Sequence, residues 1–435
     1  MFGSARRRPP KGPSNRQLAN TLKAQGPREG WSKIISTYGP TFRLDASLVA
    51  TCDPALAAKI LYHRPHTTDR SRLHRSMATA LPGLDGILFK DHDPWLQRIQ
   101  TLMPALKRSK VIPYAAHIHT LAMHQVERGS GPDLAGVATA LGQAVFLDHA
   151  LGLVPKHPLG KALTQWLHRL ETPQDRLDVP HVSLRRLARL PWYQRALKER
   201  FEQIEALVAA ALPNAPEHCW GRLLHDKAGL DVTEVTTELT HIYWAYDAVH
   251  YIMTAVLYEL GQRPKWRQAL RQELNDALGQ CPHPQREDKD KLPLCHAFLH
   301  EVQRRYPATM GVARKLGEDL STDAFDLKAG TEMLLLLYPL HHDPERWPDP
   351  EDFNPRRWLD RPGDGRSAVA FAPFLHGPRR CIGRYLAELE LMGCLNAFVR
   401  HVDLKVYNDD IPMTTDMIPR FAAPIPFQLK RLEPN

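Results

Sequence analysis

The chain has 435 residues, of which 43% are hydrophobic, so it can enclose a large apolar core. Its formal charge is +9, but no nucleic-acid-binding signature accompanies this charge, so we expect no nucleic-acid partner. The sequence has no run of 18 consecutive apolar residues and no secretory signal pattern, so it gives no reason to expect a membrane-spanning helix.

The first half of the chain is dominated by helical periodicity. Residues 1–30 are basic and proline-rich, and we expect them to be partly disordered; residues 31–435 are expected to form a single domain. A helix over 31–38 and strands at 41–44 and 48–52 are predicted to open that domain. Residues 231–260 contain neither Pro nor Gly, which predicts one helix of about 45 Å.

The pattern changes after residue 301. Short strands are predicted at 312–316 and 332–338, followed by a proline-rich meander over 341–362. A helix over 384–401 and terminal strands near 403–406 and 426–430 end the chain. The predicted fold class is mainly α with a minor β part.

One cysteine near the C-terminus stands apart from the other five, which are scattered without a Cys-x-x-Cys pair and indicate a reducing compartment. It lies in Phe374-Leu-His-Gly-Pro-Arg379-Arg-Cys381-Ile-Gly383, directly before the last helix. Glycines permit close approach of the backbone to a flat ligand, and a helix N-terminus lowers the pKa of a thiol. This layout suits a thiolate bound to haem iron, with Phe374 over the sulfur and Arg379 paired with a propionate.

The loop matches the pattern F-x-x-G-x-R-x-C-x-G at every fixed position, and the chain therefore resembles the cytochrome P450 family. The resemblance implies the fold of that family, with a long central helix over the haem and the cysteine loop before the last long helix. It also implies haem b as the cofactor, with Cys381 as the axial ligand and metal-binding residue.

Two further motifs support the resemblance. Glu301-Val-Gln-Arg304 resembles the E-x-x-R of the family, and residues 353–358, which include Arg357, resemble its F-x-P-x-R-F. The resemblance implies that Glu301, Arg304 and Arg357 form a buried triad that holds the haem loop, because buried charges must be paired.

The resemblance also implies propionate contacts from Arg314, Trp95 and Arg98. For Trp95 and Arg98 the family spacing W-x-x-x-R is shortened here to W-x-x-R.

The long helix departs from the family where it should pass over the iron. The family has A/G-G-x-D/E-T-T/S there, with an acid and a threonine that deliver protons, whereas this chain reads Trp-Ala-Tyr-Asp247-Ala248-Val249-His250. The acid and threonine positions fall on Ala248 and Val249, or Asp247 is the acid if the register shifts by one. We therefore predict a catalytic segment of Asp247, Ala248, Val249 and His250.

Three interpretations follow from the missing threonine. Protons are delivered by Asp247, Tyr246, His250 or a substrate hydroxyl; or the enzyme uses peroxide or a lipid hydroperoxide; or it catalyses a rearrangement without oxygen input. The resemblance places a mostly apolar substrate pocket at Leu88, Ala245, Tyr246, Thr309, Met310, Val312, Met417 and Ile418.

The expected function is a haem-thiolate monooxygenase that oxidises a hydrophobic small molecule in secondary metabolism. It would use O₂ and electrons from a separate partner, a ferredoxin or a flavoprotein reductase. The alternatives are a peroxygenase or hydroperoxide-rearranging enzyme, and a non-catalytic haem protein that recruits another oxygenase. We expect a cytoplasmic monomer. The sequence leaves open whether the N-terminal segment makes peripheral contact with a membrane.

Overall fold

The computed structural model describes residues 9–62, 68–69, 85–171, 190–359, 368–408, 411–414, 416 and 418–432. Helices dominate these residues. The principal helices are α1 (Asn15–Tyr38), α2 (Pro54–Tyr62), α3 (His92–Leu106), α4 (Ala115–Arg128), α5 (Leu134–Leu151), α6 (Pro158–Glu171), α7 (Pro191–Ala211), α8 (Val232–Gln262), α9 (Pro264–Leu278), α10 (Pro293–Arg305) and α11 (Arg384–His401).

Short strands form the minor β part, so the predicted fold class is confirmed. The strands are β1 (Thr41–Arg43), β2 (Leu48–Thr51), β3 (Thr68–Asp69), β4 (Gly311–Leu316), β5 (Leu320–Ser321), β6 (Asp326–Leu327), β7 (Glu332–Leu336), β8 (Val402–Val406) and β9 (Phe427–Arg431). The largest sheet has the order β1-β2-β7-β4-β3, in which β2 pairs parallel with β7 and the other pairs are antiparallel. Strands β5 and β6, and β8 and β9, form separate antiparallel pairs.

Helix α1 begins earlier than the Trp31 start predicted from the sequence. Ser14 accepts a hydrogen bond from the Gln17 N–H, and the Gln17 side chain accepts one from the Ser14 N–H. This capping box starts the helix at Asn15, and the helix continues past a kink at Gly26 to Tyr38. The part of the N-terminal segment from residue 15 onward is therefore helical rather than disordered.

Helix α8 is the long helix predicted over 231–260. Asp231 caps its first turn, with Glu234 completing a capping box. Its 31 residues correspond to a length of about 46 Å. Apolar side chains of α8 pack against α5 and α11 in the largest core cluster, which includes Val145, Met253 and Leu395.

Helix α5 is the one helix among the described residues that is long and apolar enough to cross a membrane by length and composition, and 61% of it is buried inside the fold. It packs against α8, as the core helix of a globular domain does.

Candidate functional site

The loop before α11 closes on itself and on α2. Within it, the Cys381 N–H donates to the Phe374 carbonyl at 2.8 Å and the Arg380 N–H donates to the Gly377 carbonyl at 3.2 Å. Gly377 has a φ of 75°, and a Cβ built on it would lie 2.0 Å from the Leu61 carbonyl oxygen. Only glycine permits both this conformation and this approach to α2.

The thiol of Cys381 is accessible although the protein surrounds it. Cys381 is exposed, yet the protein around it raises the pKa of its thiol by desolvation. Exposure together with desolvation is expected for a side chain that faces an internal cavity rather than bulk solvent. The backbone N–H groups of Gly383 and Arg384 and the charge of Arg384 lower this pKa. The effect expected from the helix N-terminus is therefore present, but burial outweighs it and the net pKa is raised.

A second feature of the site is an excess of buried positive charge. Arg314 on β4 is 4% exposed, donates to the Ala313 carbonyl at 2.9 Å and forms no ion pair with a described residue. Burial and the neighbouring charge of Arg379 lower the pKa of Arg314 to about 10. Arg379 itself donates to Asp91 Oδ1 at 2.8 Å and lies 4.4 Å above the Trp95 ring.

The nearby carboxylate of Asp91, which binds Arg379, only partly offsets the burial of Arg314 and its repulsion by Arg379. A buried charge without a partner is costly, so this region fits a ligand that brings further carboxylates. Together with the accessible thiol of Cys381, the residues present fit a haem with its two propionates.

Arg98 does not belong to this charge cluster, contrary to the sequence expectation. Its guanidinium pairs with Glu238 at 3.0 Å and Glu234 at 3.3 Å, both on α8. Glu238 also accepts a hydrogen bond from the Ile87 N–H at 2.7 Å. Arg98 therefore links α3 to α8, and Glu238 links α8 to the segment before α3. Because two carboxylates bind its guanidinium, Arg98 is not free to bind a propionate.

The structure brings Glu301, Arg304 and Arg357 together as the motifs predicted. Glu301 accepts from Arg304 Nε and Nη2 at 2.9 Å each and from Arg357 Nε at 3.0 Å. Burial raises the pKa of Glu301, but the hydrogen bonds and charges of the two arginines outweigh it, so the net pKa is lowered. Each of the two arginines therefore has Glu301 as a carboxylate partner, as burial requires.

Two contacts join this triad to the cysteine loop. Arg304 Nη1 donates to the His341 carbonyl at 3.0 Å, and the His341 ring nitrogen Nε2 accepts from the Ala372 N–H at 3.0 Å. Trp358 Nε1 donates to Glu301 at 2.9 Å, and its ring packs 4.5 Å from that of Phe371. The triad therefore fixes residues 371–372, where the cysteine loop begins.

The middle of α8 has an open face and a packed face. Ala245 is exposed, and Ala248 and Val249 are partly exposed. Tyr246 is buried on the packed face, where its hydroxyl donates to Glu390 Oε1 of α11 at 3.2 Å. The expected place of Tyr246 in the substrate pocket is therefore wrong, because its side chain lies in the helix core.

Asp247 and His250 differ in their surroundings. Asp247 accepts from Arg420 at 3.3 Å and lies 3.9 Å from His250 Nδ1. His250 is buried, and its ring packs so closely on Gly142 of α5 that a Cβ there would be 2.5 Å away. Burial lowers the pKa of His250 to about 3. His250 thus faces α5, which does not favour the predicted catalytic role, whereas Asp247 remains a candidate.

The other predicted pocket residues divide into accessible and buried ones. Leu88 is 46% exposed, and Val312 and Ile418 are partly exposed. Thr309 Oγ1 is bound to the Gly311 carbonyl at 2.9 Å. Met310 is buried in an apolar cluster that also contains residues of α1 and the sheet, which does not favour its predicted place in the pocket. Met417 lies outside the described residues.

Sequence reasoning missed Asp91, His341 and Glu390. Glu390 carried a detectable signal, because it is the one acidic residue among the mostly apolar buried residues of α11. Asp91 and His341 have no local pattern, since their partners lie far away in the sequence.

Comparisons with known proteins agree with this geometry. A family profile described as "Cytochrome P450" matches residues 197–430. The protein named "25-hydroxyvitamin D-1 alpha hydroxylase, mitochondrial" from Rattus norvegicus is 30% identical over 426 residues, which covers 84% of this chain and 81% of that protein. "Cytochrome P450 4V2" from Homo sapiens is 30% identical over 195 residues, 44% of this chain and 37% of that protein.

A solved structure shares the fold. It is titled "Retinoic acid bound cyanobacterial CYP120A1" and aligns with a TM-score of 0.80 over 98% of this chain and 100% of that chain, at 19% identity. At this identity the likeness concerns the fold alone.

The cytoplasmic location expected from the sequence is wrong. The relatives that match most of this chain, from mouse and rat, are named as mitochondrial. Scattered cysteines indicate a reducing environment, but they do not identify the compartment.

Proposed function

Because this chain belongs to the cytochrome P450 family, whose members are haem-thiolate monooxygenases, we propose that it hydroxylates a hydrophobic, lipid-like small molecule. The family generally uses O₂ and a separate redox partner. The observation that carries the proposal is the Cys381 thiol, which is exposed yet desolvated at the start of α11. A role in secondary metabolism stays a prediction.

The proposed cofactor is haem b. Cys381 would hold the iron, Arg314 and Arg379 would pair with the propionates, and Trp95 would support Arg379 through their contact at 4.4 Å. Phe374 would cover the sulfur, with Arg384 lying 5.7 Å from its ring centroid. When bound, the haem supplies the iron centre at which O₂ is activated. The chain itself would position the sulfur and neutralise the carboxylates.

The substrate class follows from the accessible side chains. Ala245, Ala248 and Val249 of α8, with Val312 and Ile418, are all aliphatic, and such a wall binds by apolar contact. One relative is named for 25-hydroxyvitamin D, and the structural neighbour holds retinoic acid. Both ligands have extended apolar skeletons with few polar groups, which is the class we propose here.

The electron donor is proposed to dock beside the cysteine loop. Arg380 is exposed there, and a short helix, Arg108–Val111, packs against α11. The exposed Lys107, Arg108 and Lys110 lie at that helix. Such a basic surface favours an acidic ferredoxin or flavoprotein, because opposite charges steer the encounter.

A peroxide-dependent reaction is the second candidate function. Val249 occupies the position where the family has threonine, and a valine can neither donate a proton nor hold a water. Asp247 and a hydroxyl of the substrate itself are candidate sources of protons for the O₂-dependent route.

The test is oxidation of 25-hydroxyvitamin D₃ and retinoic acid by the haem-loaded protein. We expect product with one added oxygen atom when ¹⁸O₂, a ferredoxin and its reductase are supplied, with the label in the product. The Cys381→Ala variant should give none. Product formed with hydrogen peroxide alone, and never with O₂ and a reductase, would support the second candidate. No product by either route would contradict this substrate class.

A further inference from the structure

A short turn before α3, residues 86–91, contacts both α8 and the cysteine loop and forms a strap between them. The Gly86 carbonyl accepts hydrogen bonds from the N–H groups of Phe89 and Lys90, at 2.8 and 3.1 Å, so the turn is closed on itself. A span of this length reaches at most about 17 Å even when it is fully extended, and a closed turn reaches less. The strap is therefore a short connection between the two parts of the fold that it binds.

The first end of the strap is bound to α8. The Gly86 N–H donates to His241 Nδ1 at 3.1 Å, and the Ile87 N–H donates to Glu238 Oε2 at 2.7 Å. The ring of Phe89 lies 4.9 Å from that of His241. A Cβ built on Gly86 would lie 2.5 Å from His241 Nδ1, so the strap approaches α8 as closely as a glycine permits. Glu238 and His241 are 1% and 2% exposed, and this part of α8 is therefore covered.

The second end of the strap is bound to the cysteine loop. Arg379 Nη1 donates to the Lys90 carbonyl at 3.1 Å, and Arg379 Nη2 donates to Asp91 Oδ1 at 2.8 Å. Arg379 precedes Cys381 by two residues. Because the strap joins α8 to the loop that carries the thiol, it lies along one side of the space between them.

The open face of α8 begins one helical turn after the contact with the strap. Residues three and four apart on a helix lie on one face, so Glu238, His241 and Ala245 follow one another along the same side of α8. Ala245 is exposed and lies about 6 Å further along the helix than His241. Leu88 follows Ile87 in the strap, but it is 46% exposed whereas Ile87 is 5% exposed. An exposed leucine is therefore held where the open face begins.

We propose that Glu238 and His241 are positioning residues that hold the strap between α8 and the cysteine loop, so that Leu88 limits the width of the substrate. The inference rests on the proposed oxidation of a lipid-like molecule between the open face of α8 and Cys381. Steric exclusion of the wrong ligand is a common source of specificity. An extended apolar skeleton passes beside such a wall, whereas a wide and rigid ligand meets Leu88. Glu238 and His241 act through the strap and do not touch the substrate.

The first test reads how firmly the strap is held, and it needs no turnover. In the haem-loaded protein, His241→Phe keeps a ring but removes the acceptor of the Gly86 N–H. The Gly86 and Ile87 amide hydrogens should then exchange with deuterium about two- to tenfold faster, the range for the loss of one hydrogen bond. His241→Gln supplies a side-chain carbonyl as acceptor and should restore slow exchange. Unchanged exchange in His241→Phe would overturn the proposal.

The second test compares ligands of different width that bind haem iron through an imidazole nitrogen. Imidazole is the narrow probe and 1-tritylimidazole is the wide probe, and the shift of the haem absorption band gives both dissociation constants. Leu88→Ala shortens the wall, so the affinity for 1-tritylimidazole relative to imidazole should rise about tenfold, the low end for steric exclusion at an apolar wall. His241→Phe should raise the same ratio, and His241→Gln should keep it close to the wild-type value.

The matched control is Leu96→Ala. Leu96 is a leucine of α3 outside the strap, and its exposure of 41% is close to that of Leu88. Surface substitutions of this kind leave the fold intact, so Leu96→Ala should change neither amide exchange nor the affinity ratio.

The control also defines the results that decide the proposal. A ratio that is unchanged in Leu88→Ala, or that rises equally in Leu96→Ala, would overturn it. A ratio that rises in Leu88→Ala and His241→Phe, in a protein that oxidises neither lipid, would support the wall and contradict the proposed substrate class instead.

Discussion

Among single residues, Arg314 carries the clearest electrostatic sign of an anionic ligand. It is buried on β4 with one carbonyl acceptor, and burial together with the charge of Arg379 lowers its pKa to about 10. Arg98 is equally buried, but it is paired with two carboxylates. Arg314 therefore lacks an ion-pair partner among the described residues, whereas Arg98 has two.

Arg314→Met should have opposite effects on the haem-free and haem-loaded protein. Without haem, removing an uncompensated buried charge should raise the free energy of unfolding by about 1–4 kcal/mol. With haem, loss of a charged hydrogen bond of about 1.5–3 kcal/mol should speed haem release roughly ten- to a hundredfold. Urea unfolding of the haem-free protein and haem transfer to an acceptor protein measure the two effects.

Arg98→Met is the matched control. It leaves Glu238 buried and unpaired, so it should destabilise the haem-free protein by about 3–5 kcal/mol. If both substitutions shift the stability of the haem-free protein in the same direction, the distinction between the two arginines is wrong.

At the scale of elements, the cysteine loop is held at its beginning and in its middle. The triad on α10 and the meander fixes residues 371–372 through His341 and Trp358. Gly377 lets the middle of the loop touch the end of α2. Helix α11 begins directly after Gly383, so both supports decide where the Cys381 thiol points.

Glu301→Gln should disrupt the first support. Two arginines would lose their compensating charge, at a cost of about 3–5 kcal/mol, and haem content should fall. Glu351→Gln is the control, because Glu351 forms a partly exposed pair with Arg305 at 2.8 Å, and such pairs contribute about 1 kcal/mol or less. Urea unfolding and haem content of both variants are the measurements; normal values in Glu301→Gln would remove the structural role of the triad.

Gly377→Ala should disrupt the second support. Its Cβ would overlap the Leu61 carbonyl oxygen, which is backbone and cannot turn aside, so haem loading should be lost. Gly129→Ala is the control, since Gly129 has a φ of 79° with nothing near a built Cβ. It should cost only the backbone strain, about 1–3 kcal/mol. Equal haem content in the two variants would mean that the loop does not need this approach to α2.

At the scale of the whole molecule, buried neutral histidines make stability depend on pH. Burial lowers the pKa of His250 and His341 to about 3 and that of His119 and His300 to about 4. In the unfolded chain these groups take up protons near pH 6.5. Their contribution to stability is therefore complete above pH 6.5 and is lost as the pH falls towards 4 and 3.

His341→Gln should weaken the pH dependence of the free energy of unfolding, because one fewer side chain takes up a proton on unfolding. The glutamine side chain can accept the Ala372 N–H in place of Nε2, and it does not titrate. Below pH 6 the parent protein should lose about 1.4 kcal/mol more per pH unit than the variant. Urea unfolding at pH 7.5, 6.0 and 5.0 measures the difference. Equal slopes for parent and variant would show that His341 takes up its proton in the folded state.

The parts that the sequence predicted are those encoded by local patterns. Helices α8 and α11, the cysteine loop and the meeting of Glu301 with Arg304 and Arg357 follow from spacing and motif. The start of α1, the partners of Arg98 and the burial of Tyr246 and Met310 depend on residues far away in the chain, such as Glu390 on α11. Periodicity gives the face of a helix, but it does not say which neighbour covers that face.

The account depends most directly on Cys381 as the iron ligand. The reduced, carbon monoxide-bound spectrum of the wild type, Cys381→Ala and Cys394→Ala tests this claim. Cys394 is the control, because it lies buried on α11, the helix that follows the cysteine loop, and burial raises the pKa of its thiol. We predict a thiolate-type spectrum for the wild type and for Cys394→Ala, and its loss in Cys381→Ala. A thiolate-type spectrum that persists without Cys381, or that disappears without Cys394, would contradict the account.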